Sequence, residues 1–149
     1  MGFGVSINGL DKLGGTLAKV DSIATTYLND KIKKAALAVQ QEAVRLVHEN
    51  STDTGKLGQS IQIIFAEKSA TVGPTVEWGP FIEFGTRPHM PPSEPLEIWA
   101  SRHGFDEGMG FVLAKKISEE GMAAKPFMGP ASEKGRAILK NVEGLRISF

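Results

Sequence analysis

DSIATTYLNDKIKKAALAVQQEAVRLVHEN, residues 21–50, decides the fold. Within it Leu28, Ile32, Ala36, Val39, Ala43, Leu46 and Val47 recur at steps of three and four, while lysine, glutamine and glutamate fill the positions between. That spacing predicts one long amphipathic helix from about Asp21 to Asn50 with a single buried face. The run Asn50-Ser51-Thr52-Asp53-Thr54-Gly55 ends it. Its short polar side chains compete for backbone hydrogen bonds, and its glycine permits a left-handed residue. A chain reversal is expected there.

Before the helix, residues 1–20 hold Gly2-Phe3-Gly4 and Gly14-Gly15 and are expected to form a flexible arm. After the reversal, Ile61, Ile63 and Phe65 alternate with Gln62, Ile64 and Ala66, the period-two pattern of a strand. Glu67-Lys68-Ser69 is a turn, and Ala70-Thr71-Val72 is the expected antiparallel partner. Gly73-Pro74 interrupts that partner before Thr75-Val76-Glu77-Trp78 resumes it. Residues 79–95 carry two glycines and five prolines. A continuous helix or a central strand is therefore excluded, and a shaped, proline-rich loop is expected. Further helices are predicted over Glu94–His103, capped by Ser93 and striped by Leu96, Trp99 and His103, then over Phe111–Glu120 and Ala131–Glu143. Residues 144–149 alternate like a C-terminal strand. The sum is one α+β domain over residues 1–149: a long N-terminal amphipathic helix on a small antiparallel sheet, with two or three shorter C-terminal helices.

Composition narrows the function. A chain of 149 residues buries roughly 68–70% of its unfolded surface, enough for one core. Lysine plus arginine and aspartate plus glutamate stand at 17 each, so no net field draws the chain onto nucleic acid or an anionic membrane. There is no cysteine, which removes disulfide frameworks, thiolate nucleophiles and sulfur-ligated zinc, and suits a reducing cytoplasm. The start of the sequence has neither the basic residues nor the apolar run of a signal peptide, and no apolar stretch suits a membrane span. No membrane association is expected.

Catalytic residue types are thinly spread. His48, His89 and His103 lie in unrelated contexts and in no metal-binding spacing. His48 suits the last turn of the long helix. The glycine pairs near the N-terminus complete no phosphate loop. Lys31, Lys33 and Lys34 share their helix with acidic residues and no interleaved aromatics, so they read as a solvated face. No catalytic, cofactor-binding or metal-binding residue is expected, and no cofactor; a hydrolase built on His89 with Glu83 has only their nearness in sequence for support.

The run from Trp78 to Pro91 differs, since it gathers Trp78, Phe81, Glu83, Phe84, Gly85, Thr86, Arg87, Pro88, His89, Met90 and Pro91 around rigid turns. Bulky side chains on a proline-stiffened segment lose little entropy on docking, and aromatics and arginine are favoured interface anchors. For Trp78, Phe81 and Phe84 a second reading stays open, that they cover the sheet as core.

Three segments together resemble the tail-component family of long-tailed bacteriophages, the neck, head-tail joining or tail-completion proteins. They are Asp53-Thr54-Gly55-Lys56-Leu57 with Ser60-Ile61, then Trp78-Gly79-Pro80-Phe81-Ile82-Glu83-Phe84-Gly85-Thr86-Arg87-Pro88-His89-Met90, then Lys125-Pro126-Phe127-Met128 with Pro130-Ala131. The middle segment is the most specific. Trp78-Gly79 stands where tyrosine and alanine are more usual, and Met128 where leucine is. The resemblance implies a non-enzymatic structural virion protein at the head-tail junction, made in the host bacterial cytoplasm. It implies a homo-oligomeric ring, a hexamer or else a dodecamer, between a head-tail connector or stopper protein and a tail tube or tail terminator protein. Phage DNA would pass through such a ring without specific binding. A non-virion protein-binding module of phage or prophage origin is the alternative.

The helix periodicity carries its own test. Val39→Asp would place an unpaired charge on the buried face and should lower the unfolding free energy by roughly 3 kcal/mol. Chemical denaturation measures it, and an unchanged midpoint would mean the buried face is misassigned.

Overall fold

A computed structural model describes residues 10–50 and 53–140. In chain order it holds α1 (Leu10–Asn50), α2 (Lys56–Ser60), β1 (Ile61–Ala66), β2 (Ser69–Pro74), α3 (Gly79–Phe84), α4 (Ser93–Arg102), α5 (Met109–Glu120) and α6 (Met128–Lys140). This is the expected α+β arrangement of a long N-terminal helix, a small antiparallel sheet and shorter C-terminal helices. The expected strand over 144–149 and the end of the last predicted helix lie outside the described residues, as do residues 1–9 of the expected arm.

α1 has 41 residues and starts at Leu10, well before Asp21. Leu10, Leu13, Leu17 and Val20 extend the three- and four-residue steps backwards. The helix runs through Gly14 and Gly15, which were read as terminal flexibility, although each glycine costs roughly 1 kcal/mol against alanine. Residues 10–20 are thus helix.

The strands pair antiparallel from Ile61↔Pro74 to Ala66↔Ser69. Gly73 and Pro74 lie within β2, where an interruption was expected. Pro74 has no N–H to donate but ends the ladder, the position at which a strand tolerates it. The strand does not resume at Thr75. Instead Thr75 N–H donates to Ser60 O at 3.0 Å, and residues 76–78 turn into α3. The reversal after α1 contains α2, which was not foreseen. Gly55 precedes it in the left-handed region, with φ 73°.

Ala43, Val47, Leu57, Ile61, Phe127 and Ala131 form the central cluster, joined by Val39, Leu46, Val72 and Ile82. α6 runs antiparallel to α1, since Ala131 packs with Ala43 and Gly135 lies against Val39 and Ala35. A Cβ at Gly135 would stand 2.6 Å from Val39 Cγ2, so this glycine permits the close approach that offsets its poor helix propensity. α1 is tied to the sheet by Gln40 Nε2–H donating to Ile61 O at 2.8 Å. Elsewhere α4 and α5 pack on each other through buried Ala100, Gly110 and Ala114.

A charged clamp crosses the α1–α6 seam. Glu42 accepts from Arg45 at 2.7 Å on its own helix and from Lys134 Nζ at 2.7 Å across it. The Arg45 guanidinium, then the Lys134 ammonium, hold the Glu42 carboxyl well below the usual carboxylate range, at about 2. A carboxylate whose folded pKa is depressed adds stability above its unfolded value and loses it as pH falls through the folded one. Unfolding followed by acid titration should therefore show a loss of stability between about pH 4.5 and about 2. Glu42→Gln should flatten that part of the curve, and an identical acid slope in wild type and variant would remove the clamp from the account.

Candidate interaction site

The segment from Trp78 to Pro91 begins as helix α3, not as loop. Pro80 sits in its first turn, where a missing N–H costs nothing and the fixed φ suits a helix. Gly85 ends it with φ 71°. The proline-rich course expected over 79–95 thus holds only beyond it, up to the start of α4 at Ser93.

One face of α3 is structural. Ile82 packs on the central cluster, and its carbonyl accepts Lys125 N–H at 2.8 Å. Glu83 Oε2 accepts the N–H groups of Phe127 at 2.7 Å and Met128 at 2.8 Å, and Oε1 accepts that of Gly129 at 2.9 Å. These amides stand at the start of α6, Phe127 just before it, where they lack partners inside the helix, and a carboxylate there also answers the helix dipole. α5 starts in the same manner: Glu97 accepts Gly108 N–H at 2.8 Å and Gly110 N–H at 2.6 Å. In both cases a glutamate on another helix, Glu83 of α3 or Glu97 of α4, supplies the cap.

Gly85 and Thr86 are structural too. Thr86 and Met122 exchange N–H···O bonds of 3.0 and 3.2 Å, an isolated antiparallel bridge. A Cβ at Gly85 would lie 2.4 Å from Met122 O, and one at Gly121 2.2 Å from Thr86 O. Both glycines have positive φ, so the bridge needs them for conformation and for space. It forms a two-stranded strap leading from the body to α4 and α5.

The other face points outward. Trp78, Phe81, Phe84 and Met90 are 42, 56, 79 and 56% exposed, so the reading of the three aromatics as sheet core is incorrect. The reason is helical: of the apolar residues in this short helix, Ile82 is turned to the core. Arg87, Pro88 and His89 are exposed and Pro91 is half-buried. Phe81, Thr86, Arg87, Pro88 and His89 line a shallow cavity of about 320 Å³. His89 Nδ1 lies 2.9 Å from Arg87 O, which fixes the ring against the loop. The Arg87 guanidinium has no ion pair among the described residues. His89 and Glu83, considered together as a catalytic pair, are not hydrogen-bonded to each other; Glu83 is engaged with α6.

A larger cleft of about 970 Å³ separates the body from α4 and α5, with Leu57, Trp78, Leu96, Trp99, Leu113 and Ile117 on its walls. Trp99 stacks on His103 at 4.1 Å, which realises the predicted stripe of Leu96, Trp99 and His103. Arg102 Nη2 reaches Asp53 at 2.7 Å across the cleft mouth. Lys125 Nζ donates to Asn50 O at 2.8 Å and closes the end of α1. Among the described residues no group of three histidine, cysteine, aspartate or glutamate side chains is placed to hold a metal ion, and no helix is long and apolar enough to cross a membrane.

No family model, no curated protein and no solved structure matches the chain. The three sequence segments nonetheless converge in space. Asp53 from the first, Ile82 and Glu83 from the second, and Lys125 and Phe127 from the third make the contacts that join α1, α3, α4 and α6. Their joining role was invisible locally, because the partners of Glu83 lie 44 to 46 residues away.

Hydrogen bonds to a charged group contribute about 1.5–3 kcal/mol each, though they are not additive and the bond from Gly129 is exposed. Glu83→Ala should therefore lower the unfolding free energy by about 2–3 kcal/mol, and Glu83→Gln by less, since an amide oxygen still accepts. Equal stability of Glu83→Ala and wild type in urea would contradict the capping role.

Proposed function

We propose that the chain is a structural subunit of a tailed bacteriophage, a neck or tail-completion protein that forms a ring between the head connector and the tail. The observation that carries the reading is the exposed face of Phe81, Phe84, Arg87, Pro88, His89 and Met90 in the segment on which the resemblance chiefly rests. Apolar and cationic side chains stand outward there on a backbone pinned by the Glu83 cap and the Thr86–Met122 bridge. Such a surface is organised before it meets a partner, which lowers the entropy lost on docking. The partners under this reading are further copies of the chain, the connector or stopper protein on one side, and the tail tube or terminator protein on the other. DNA would pass along the ring axis without sequence-specific contact. Nothing in this role requires a cofactor.

Electron cryo-microscopy of particles, or of the chain co-expressed with the products of neighbouring genes, tests the reading. A closed ring on the tail axis with residues 81–90 between subunits is the expected result; absence of the chain from particles would instead favour a non-virion binding module. In the same assay Arg87→Ala should leave the subunit folded and weaken assembly by about 2 kcal/mol. A variant that unfolds would turn Arg87 into a structural residue.

A further inference from the structure

Residues 87–121 are built as one piece. α4 and α5 meet through their backbones, since a Cβ at Gly110 would stand 2.5 Å from Glu97 N, and the Glu97 carboxylate also caps α5. Trp99 stacks on Phe105 at 6.0 Å, and Phe105 N–H donates to Ala100 O at 3.0 Å, which folds the turn between the helices back onto α4. The entry is carried along: His89 N–H donates to Ile117 O at 3.4 Å, and the Arg87–Pro88 peptide lies against Gly121. Towards the body the ties are sparser. Among the described residues neither α4 nor α5 packs on any helix or strand but the other beyond a marginal touch. Their apolar walls, Leu96, Trp99, Leu113 and Ile117, face those of the body across the cleft of about 970 Å³. The piece joins the body at Gly85–Thr86 and Gly121–Met122, where two glycines with φ 71° and 76° leave no Cβ at the closest approach. Asp53 makes the side-chain contact, 2.7 Å from Arg102 Nη2 and 3.9 Å from His103 Nε2.

We propose that residues 87–121 turn as an arm about the Gly85–Gly121 strap, with Asp53 as the latch, and that this hinge divides the outward face in two. Phe81 and Phe84 stand on α3, which Ile82 and the Glu83 cap hold to the body. Arg87, Pro88, His89 and Met90 lie beyond Thr86 and travel with the arm. The shallow cavity lined by Phe81 on one side and by Arg87, Pro88 and His89 on the other therefore spans the hinge, and its width changes with the angle of the arm. A hinge needs only a few residues able to absorb a change in φ and ψ, and one bridged pair restrains a turn less than a continuous ladder does. The latch suits release, because an ion pair whose side chains are 47 and 28% exposed is weak. A partner that grips both halves fixes the arm, and one that favours a particular angle shifts the population towards it. In this respect the inference rests on the reading of the outward face as an assembly surface and adds the device that sets its shape.

Because the chain has no cysteine, pairs of introduced cysteines can carry nitroxide labels, and double electron–electron resonance then reads distances in the isolated full-length chain. Ala137→Cys on α6 with Val112→Cys on α5 spans the hinge. Met90→Cys with Val112→Cys lies within the arm and Gln62→Cys with Ala137→Cys within the body; all four positions are exposed. A turn of about 15° on the roughly 13 Å from Gly121 to Val112 moves the label by about 3 Å. Asp53→Ala should shift or broaden the hinge-spanning distribution by about that much while the other two pairs keep theirs. Combining Asp53→Arg with Arg102→Asp should restore the wild-type distribution. Three distributions unchanged by Asp53→Ala would overturn the inference. A Met90–Val112 change as large as the hinge-spanning one would overturn it as well, since the outward residues would then not ride on a rigid arm, and failure of the reversed pair to restore the distances would remove the latch. A ring seen in particles together with an arm that does not move would sink this hinge alone, whereas a moving arm with no ring would sink the virion reading alone.

Discussion

The Glu83 carboxylate holds the centre of this structure. It accepts the N–H groups of Phe127, Met128 and Gly129, and so fixes where α6 begins. The start of α6 sets the position of Phe127, which is 2% exposed and packs with Val47 and Ala43 of α1. The antiparallel α1–α6 seam follows from it, with Gly135 allowing close approach and Glu42 bonded to Lys134 at its edge. Because Glu83 lies on α3, the same contact orients the helix that presents Phe81 and Phe84 outward. Stability and the outward face thus share one residue.

Much of this fold was legible because it is periodic. The three- and four-residue steps of α1 and the alternation of Ile61, Ile63 and Phe65 each report one buried face, and each element formed. The misses have local causes. Gly58 and Ser60 are poor helix residues, so α2 is held by its buried Leu57 and by the Gly55 turn, not by propensity. Pro80 argued against a helix in general, but not against one in which it occupies the first turn. Gly14 and Gly15 concealed the early start of α1, although Leu13 and Leu17 beside them kept the spacing.

The site was legible in part. Composition identified the run from Trp78 to Pro91 as unusual, and that run does form an exposed, stiffened surface. It did not separate the outward residues from the structural ones. Glu83, Gly85 and Thr86 serve α6 and the strap, while Phe81, Phe84, Arg87, His89 and Met90 face solvent. The division depends on partners such as Met122 and Phe127, far along the chain, and no local pattern encodes it.

The Thr86–Met122 bridge has a consequence for the architecture as a whole. Residues that exchange both backbone hydrogen bonds across an antiparallel pair stand about 5.5 Å apart, so the chain departs for α4 and returns from α5 through almost the same point. Everything between those two residues is topologically an insertion. Its length and content can change while the paired residues stay where they are, as long as the walls it lends to the cleft beside Val47, Leu57 and Ile82 are kept. The α4–α5 unit is therefore a module of the chain, hung from one paired point and tied back to the body by Arg102 and Asp53.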